Sequence, residues 1–162
     1  MGQYPSMASI EIHTIEKYRK VLSNDYRDFS KAIGLFSHGV GAGSFVYLRR
    51  IFENLIEEKR KDAAENSTWD DLLFQKSRMD EKIQILEEHL PEVLVQNRKL
   101  YSILSKGIHE MTEEECLDLF PEVKLAIELI LDEKIYLLEQ QKKIQSVSRF
   151  VAATVEKISK KK

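Results

Sequence analysis

Residues 41–58 of the chain read GAGSFVYLRRIFENLIEE, and this stretch decides the fold class. Its apolar side chains recur every three or four residues, so they fall on one face of a helix and form a core stripe. Segments on both sides show the same helical spacing, and none shows the sustained alternation of a strand. The sequence therefore predicts an all-α helical bundle. The stripe consists of Phe45, Leu48, Phe52, Leu55 and Ile56.

The predicted helices are joined by short connections. Thr112 and Glu115 have the spacing of a capping box, and Pro121 predicts the end of one short helix and the first turn of the next. Residues 59–66, KRKDAAEN, are polar enough to form the most mobile connection. We place helices at about Ser9 to Ser23, Asp25 to Ser37, Gly41 to Glu58, Trp69 to Glu88, Glu92 to Glu110, Thr112 to Leu119, and from Glu122 towards Lys157.

Composition excludes several classes of protein. The 162 residues suffice for one domain, and a net charge of −2 gives no global attraction to nucleic acid. The single cysteine, Cys116, excludes an intramolecular disulfide, and no apolar run is long enough to span a membrane. We expect one helical domain, residues 1–162, located in the cytoplasm. Because Tyr4 and Pro5 have no structured lead-in, we expect this domain to be the C-terminal part of a longer protein.

The clearest candidate site is the stretch NRKLYSILSKGIHE at residues 97–110. Read as one α-helix, it has an apolar stripe on one side and polar side chains spaced 4, 3 and 4 residues apart on the other. Hydroxyls, a histidine and cations on one helix surface indicate contact with an anion. The apolar stripe contains Leu100, Tyr101, Leu104 and Ile108, and the polar face contains Arg98, Ser102, Ser105 and His109, flanked by Lys106.

His109 is the best candidate for acid–base chemistry in this stretch. It shares a face with Ser105, lies close to Lys106 and comes where the helix ends. The alternative is a capping or interface histidine. None of the four histidines has the spacing of a metal-binding motif, so we expect no metal site and no cofactor.

A cluster of glycines, HGVGAGS, occupies residues 38–44. Glycines before a helix can hold a phosphate or ribose on backbone N–H groups, and His38 stands beside them. One alternative is that Gly39, Gly41 and Gly43 let two helices approach closely or bend, and another is that they form a simple connection. The phosphate-binding fingerprints require a strand before the glycines, and no strand precedes this cluster. The close-packing interpretation is therefore favoured.

Two adjacent arginines, Arg49 and Arg50, follow the glycine cluster. Their side chains diverge by about 100° on a helix, so one can point towards a bound anion while the other is solvated. The alternative is a structural salt bridge to Glu53, three or four residues further on.

A second apolar stripe lies near the end of the chain. It is separated from the rest of the long helix by residues 139–143, EQQKK, which contain no apolar side chain. Either the helix leaves the core there or it breaks, and the stripe then needs a partner of its own. A second copy of the protein is the simplest partner, so we predict a homodimer. The stripe contains Ile144, Val147, Val151, Val155 and Ile158.

Three parts of the sequence, taken together, carry a resemblance to a known family. They are GAGSFVYLRRIFENLIEE, LYSILSKGIHEMTEEECLDLF and the long C-terminal helix. Over roughly Ile33 to Leu131 they resemble the HEPN (higher eukaryote and prokaryote nucleotide-binding) superfamily, in the bacterial branch near the abortive-infection C-terminal domains and related uncharacterised domains. The resemblance implies a helical bundle that dimerises and, in active relatives, a metal-independent endoribonuclease of phage defence or toxin–antitoxin systems. It also implies RNA or nucleotide as a partner, and a zinc-ribbon module earlier in the full-length chain.

Active relatives carry the motif R-x(4–6)-H, and this sequence departs from it. Arg98 lies about 16 Å from His109 on an α-helix, too far for both to act easily on one phosphate. We therefore predict an RNA-binding or nucleotide-binding role with doubtful ribonuclease activity; the alternative is a non-catalytic dimerisation or protein-interaction module. The positions where the motif requires arginine hold Leu104, Ile103 and Ser102. The missing cation would then come from Lys106, Arg49 or Arg50.

Overall fold

The computed structural model describes residues 7–106 and 108–161, without the side chains of residues 7–9 and 108, so Tyr4 and Pro5 lie outside it. These residues form helices and no strand, which confirms the all-α prediction. The α-helices are α1 (Met7–Thr14), α2 (Arg19–Leu22), α3 (Asp25–Ser37), α4 (Gly41–Ala63), α5 (Asp71–Lys76), α6 (Met79–Ile85), α7 (Glu92–Gln96) and α8 (Glu113–Lys160). Short 3₁₀-helices lie at Glu16–Tyr18, Glu87–His89, Arg98–Ser105 and Ile108–Glu110.

The chain divides into two compact units, Met1–Leu131 and Asp132–Lys162. The first unit is a helical bundle that contains α1 to α7 and the beginning of α8. The second unit consists of the remainder of α8. The predicted long C-terminal helix is therefore confirmed.

Aromatic and aliphatic side chains of α3, α4 and α8 form the core of the first unit. Phe36 of α3 stacks on Phe120 of α8, with ring centroids 4.2 Å apart. Phe52 of α4 stacks on Tyr101 at 5.3 Å. Burying one such side chain contributes roughly 1.5–3 kcal/mol, so these layers hold the bundle together. The whole predicted stripe of α4 is buried: Phe45, Leu48, Phe52, Leu55 and Ile56.

Two predicted helices are shorter and more broken than their apolar spacing indicates. The helix predicted from Ser9 is divided into α1, a 3₁₀ turn and α2, and it ends at Ser23, whose φ is 53°. The helix predicted from Trp69 is divided into α5 and α6, because Ser77 and Arg78 adopt extended backbone conformations between them.

The predicted helix from Glu92 to Glu110 is also wrong as a single element. Its α-helical part, α7, stops before Asn97, and the chain then continues in 3₁₀ conformation. The Asn97 side-chain amide donates a hydrogen bond to the Val93 carbonyl at 2.8 Å. This local bond competes with the backbone ladder, which is why asparagine is a poor residue inside a helix.

Helix α4 is longer than predicted, because it continues to Ala63 instead of ending near Glu58. Arg60 stabilises the added turns: it bonds Glu57 at 2.7 Å and reaches Asp71 of α5 at 2.8 Å. The connection between α4 and α5 therefore covers residues 64–70, and only the last three residues of the predicted range, 59–66, belong to it.

Helix α8 has the capping box predicted at its start, but it does not end at Pro121 as predicted. The Thr112 N–H donates to Glu115 at 2.9 Å and the Glu115 N–H donates to the Thr112 hydroxyl at 3.1 Å, which confirms the capping box. The predicted break at Pro121 is wrong, since α8 continues through it. Pro121 removes the N–H that would bond the Leu117 carbonyl, and it lies on the exposed side of the helix, while Phe120 and Val123 beside it are buried.

Helices α4 and α8 begin in close contact at Gly41. A Cβ added there would clash with the Glu113 carbonyl, lie 2.6 Å from the Glu113 carboxylate and 3.0 Å from the Leu117 side chain. Gly43 is less crowded, with Val40 Cγ1 at 3.1 Å from such a Cβ. The close-packing interpretation of the glycine cluster therefore holds at Gly41.

We predict that Gly41→Ala lowers the free energy of unfolding by roughly 1–3 kcal/mol, because its Cβ overpacks the start of α8. Gly34→Ala is the matched control: Gly34 lies inside α3 with nothing within 4 Å of an added Cβ. Gly34→Ala should raise the free energy of unfolding by about 0.5–1 kcal/mol, because a glycine inside a helix is less stable than an alanine. Urea denaturation measures both, and shifts of the same sign would contradict the close approach.

Candidate functional site

The N-terminus of α4, where the sequence suggested a phosphate or ribose, is occupied by a carboxylate of the chain itself. Oε2 of Glu113 accepts hydrogen bonds from the Gly41 N–H at 2.5 Å and from the Ala42 N–H at 2.9 Å. These N–H groups are unsatisfied within their own helix and carry its positive end, which favours an anion. An external phosphate would have to displace Glu113.

His38 belongs to the turn that precedes this helix start. Its N–H donates to the Leu35 carbonyl at 3.1 Å, and Gly39 follows with a φ of 75°, a conformation that glycine adopts without strain. The His38 side chain is exposed. Its position is thus explained by the turn between α3 and α4.

The polar face predicted for residues 98–109 is not formed. A 3₁₀-helix has three residues per turn, so side chains three apart align. Arg98 therefore falls on the row of Tyr101 and Leu104, which are buried, whereas Ser102 and Ser105 share another row. Beyond Ser105 the helix ends, because the backbone of Lys106 is extended.

The polar side chains of this segment bond to backbone groups nearby. The Ser105 hydroxyl accepts from the Met79 N–H at 2.8 Å, so it caps the start of α6. The Ser102 hydroxyl donates to the Lys99 carbonyl at 2.8 Å, and Arg98 donates to the Val95 carbonyl at 3.1 Å. These side chains are thus bonded to the chain's own backbone, and a ligand would compete with those bonds.

Arg49 connects α4 to the end of the 98–105 helix. Its Nη1 donates to the Lys106 carbonyl at 2.6 Å, and its Nε donates to Glu53 at 2.9 Å. The salt-bridge alternative is therefore confirmed for Arg49. Arg50 points elsewhere and lies 3.8 Å from Asp28 at an exposed position.

A cleft of about 480 Å³ lies beside this contact. Arg49, Glu53, Lys82 and Ser105 are among its lining residues, over apolar side chains such as Phe74. His109 is exposed and is not among the lining residues. The structure thus brings Arg49 together with Ser105 and the Lys106 backbone, but it does not place His109 or Arg98 in the same cleft.

Within residues 7–106 and 108–161, no group of three or more His, Cys, Asp and Glu side chains is arranged to hold a metal ion. Over the same ranges, no helix combines the length and the apolar character needed to cross a membrane.

The second unit carries the predicted apolar stripe on an unbroken helix. Helix α8 runs through residues 139–143 without interruption, which excludes the predicted alternative of a break. Every residue of the stripe is exposed. Phe150 lies beside the stripe and is 72% exposed, more than any member of it.

The stripe belongs to a longer regular pattern, which the seven-residue spacing of apolar side chains in the sequence reveals. Apolar residues recur every seventh position along the whole of α8, the spacing of a coiled-coil seam. The first three members are buried and the last four are exposed. This heptad series contains Cys116, Val123, Ile130, Leu137, Ile144, Val151 and Ile158.

Comparisons with known proteins do not identify the chain. The sequence matches no protein-family model and no curated protein, and the structure matches no solved structure. The resemblance to the HEPN superfamily therefore stays a prediction.

We predict that Glu113→Ala lowers the free energy of unfolding by about 0.5–2 kcal/mol, the usual cost of losing a carboxylate from a helix N-terminus. Glu114→Ala is the matched control, because it removes the neighbouring acid from the same first turn of α8. It should change the free energy by a few tenths of a kcal/mol at most. Thermal unfolding of both variants decides whether the bond to α4 stabilises the fold.

Proposed function

We propose that this chain is a self-association module that forms a homodimer through the exposed apolar stripe of α8. The exposure of that stripe carries the proposal: Ile144, Val147 and Phe150 are 63%, 64% and 72% exposed on consecutive turns. Single exposed apolar side chains are ordinary on protein surfaces, whereas a contiguous row of this length marks an interface.

The exposed area supports a second copy as the partner. Seven apolar side chains between Leu137 and Ile158 are more than half exposed. At ordinary side-chain sizes they present on the order of 800 Å², which is the area that each partner contributes to a standard interface. The same stripe on a second copy has the matching length and apolar character.

The heptad spacing also supports helix-to-helix pairing. A repeat of seven keeps one row of side chains facing a partner helix along its full length. In the first unit, Val123 and Ile130 of this row are covered by the chain's own bundle. Association would cover the rest of the row, from Leu137 onwards, in the same way.

We predict that the purified chain scatters light as a dimer, with twice the 18.9 kDa mass of one chain, at micromolar concentration. The double variant Ile144→Asp/Val151→Asp should shift the mass to that of a monomer, because it places charges in the apolar seam. The matched control is Ser146→Asp/Ala153→Asp, which adds the same charge to the opposite face of the same turns.

The control variant should remain a dimer. A monomeric parent chain at all concentrations would contradict the proposal, and so would equal dissociation of both double variants. Circular dichroism of each variant establishes that the helix is retained.

RNA binding is the second candidate function, and one observation favours it. This chain lacks the arginine of the motif that active HEPN members carry. Arg49 donates a hydrogen bond to the carbonyl of Lys106, which lies three residues before His109. A cation from another helix therefore lies near the end of the segment that leads to His109. Because Arg49 is also bonded to Glu53, it is better placed to hold the fold than to contact a phosphate.

We predict that the chain shows no metal-independent cleavage of single-stranded RNA, because Arg49, Ser102 and Ser105 already hold backbone groups of the chain. Incubation of labelled RNA with the chain and a chelator tests this. Robust cleavage that His109→Ala reduces by about a hundredfold or more, with unchanged melting temperature, would overturn the prediction in favour of an acid–base role for His109.

A further inference from the structure

The stripe of α8 has a defined heptad register. Leu137, Ile144, Val151 and Ile158 occupy the a positions, so the d positions fall three residues after each of them. The d positions hold Gln140, Val147, Thr154 and Lys161. The seam is thus apolar at every a position and at Val147, and polar at the three other d positions.

We infer that two copies of the chain pair through this seam as a parallel, in-register coiled coil; the inference rests on the proposed self-association and adds the direction of the partner helix. In this arrangement each residue of the seam faces its own counterpart. Gln140 then faces Gln140 of the second copy, and the two side-chain amides can hydrogen-bond to each other.

Antiparallel pairing leaves the Gln140 amide without a hydrogen-bonding partner. There a positions face d positions, and the registers that align the two stripes put Gln140 opposite Val151 or Ile158. A buried amide opposite an aliphatic side chain loses its hydrogen bonds to water without replacement, which is costly. Thr154 does not discriminate, because its hydroxyl already donates to the Phe150 carbonyl of its own helix at 2.9 Å.

Phe150 and Val155 fit the parallel arrangement as well. They flank the seam at a g position and the following e position, five residues apart. In a parallel coiled coil a g residue contacts the e residue five positions on in the partner. Phe150 of one copy would therefore cover Val155 of the other, which accounts for two exposed apolar residues outside the a and d positions.

One feature acts against the parallel direction. The lysines at the end of α8 would come together in the two copies. They lie on the exposed last turn, where solvent and salt screen like charges and the cost is small. The amide of Gln140, in contrast, lies within the seam.

Disulfide trapping distinguishes the two directions. Gln140→Cys should form a covalent dimer on mild oxidation, because in the parallel arrangement residue 140 of one copy lies opposite residue 140 of the other. In the antiparallel registers the two copies of residue 140 are at least about 16 Å apart along the helix axis. A disulfide requires Cα atoms within about 7 Å.

Two further variants complete the experiment. Ser146→Cys, on the outer face of the same helix, is the control for random collision and should remain uncrosslinked. Gln140→Cys mixed with a tagged Val151→Cys or Ile158→Cys chain reports the antiparallel registers. The natural Cys116 does not interfere, because it is buried and burial raises the pKa of its thiol.

The expected result is a covalent dimer of Gln140→Cys alone, at least tenfold more abundant than that of Ser146→Cys. A mixed disulfide between positions 140 and 151 or 158, without the 140–140 product, would overturn the parallel inference and leave the self-association intact. A dimer by light scattering that yields none of these disulfides would also overturn it. A monomeric mass for the parent chain would contradict the self-association itself.

Discussion

The start of α8 is attached to the start of α4, and much of the first unit depends on this attachment. The Glu113 carboxylate accepts two N–H bonds from the first turn of α4, and only glycine at position 41 leaves room for it. Because α8 begins at this point, the next turns bring Phe120 onto Phe36 and Val123 into the core. The same contact fills the anion site that a free helix N-terminus would offer.

The polar residues of the segment before α8 serve the fold in a similar way. Ser105 caps α6, and Arg49 holds the Lys106 carbonyl where the 3₁₀-helix ends. Each of these bonds joins groups far apart in the chain, so it adds to stability only in the folded state. The polar side chains of Arg98, Ser102 and Ser105 are thus explained by backbone groups that need partners.

Helix α8 shows one sequence pattern in two environments. Its heptad row is buried within the first unit as far as Ile130 and exposed from Leu137 onwards. Burial of the early members accounts for their apolar character, whereas the later members have no such explanation within the described chain. An exposed row of this kind costs free energy in water, which is the physical basis on which we propose a partner helix for it.

The sequence by itself determined the helical class, the buried stripe of α4, the capping box at Thr112 and the exposed stripe near the end of the chain. These features depend on spacing and on contacts within a few residues, which a sequence displays directly. Tertiary structure decided the rest: the conversion of residues 98–105 to a 3₁₀-helix, the passage of α8 through Pro121, and the pairing of Glu113 with Gly41. Those outcomes depend on which backbone groups meet across the fold, and residues 72 positions apart give no local signal of that encounter.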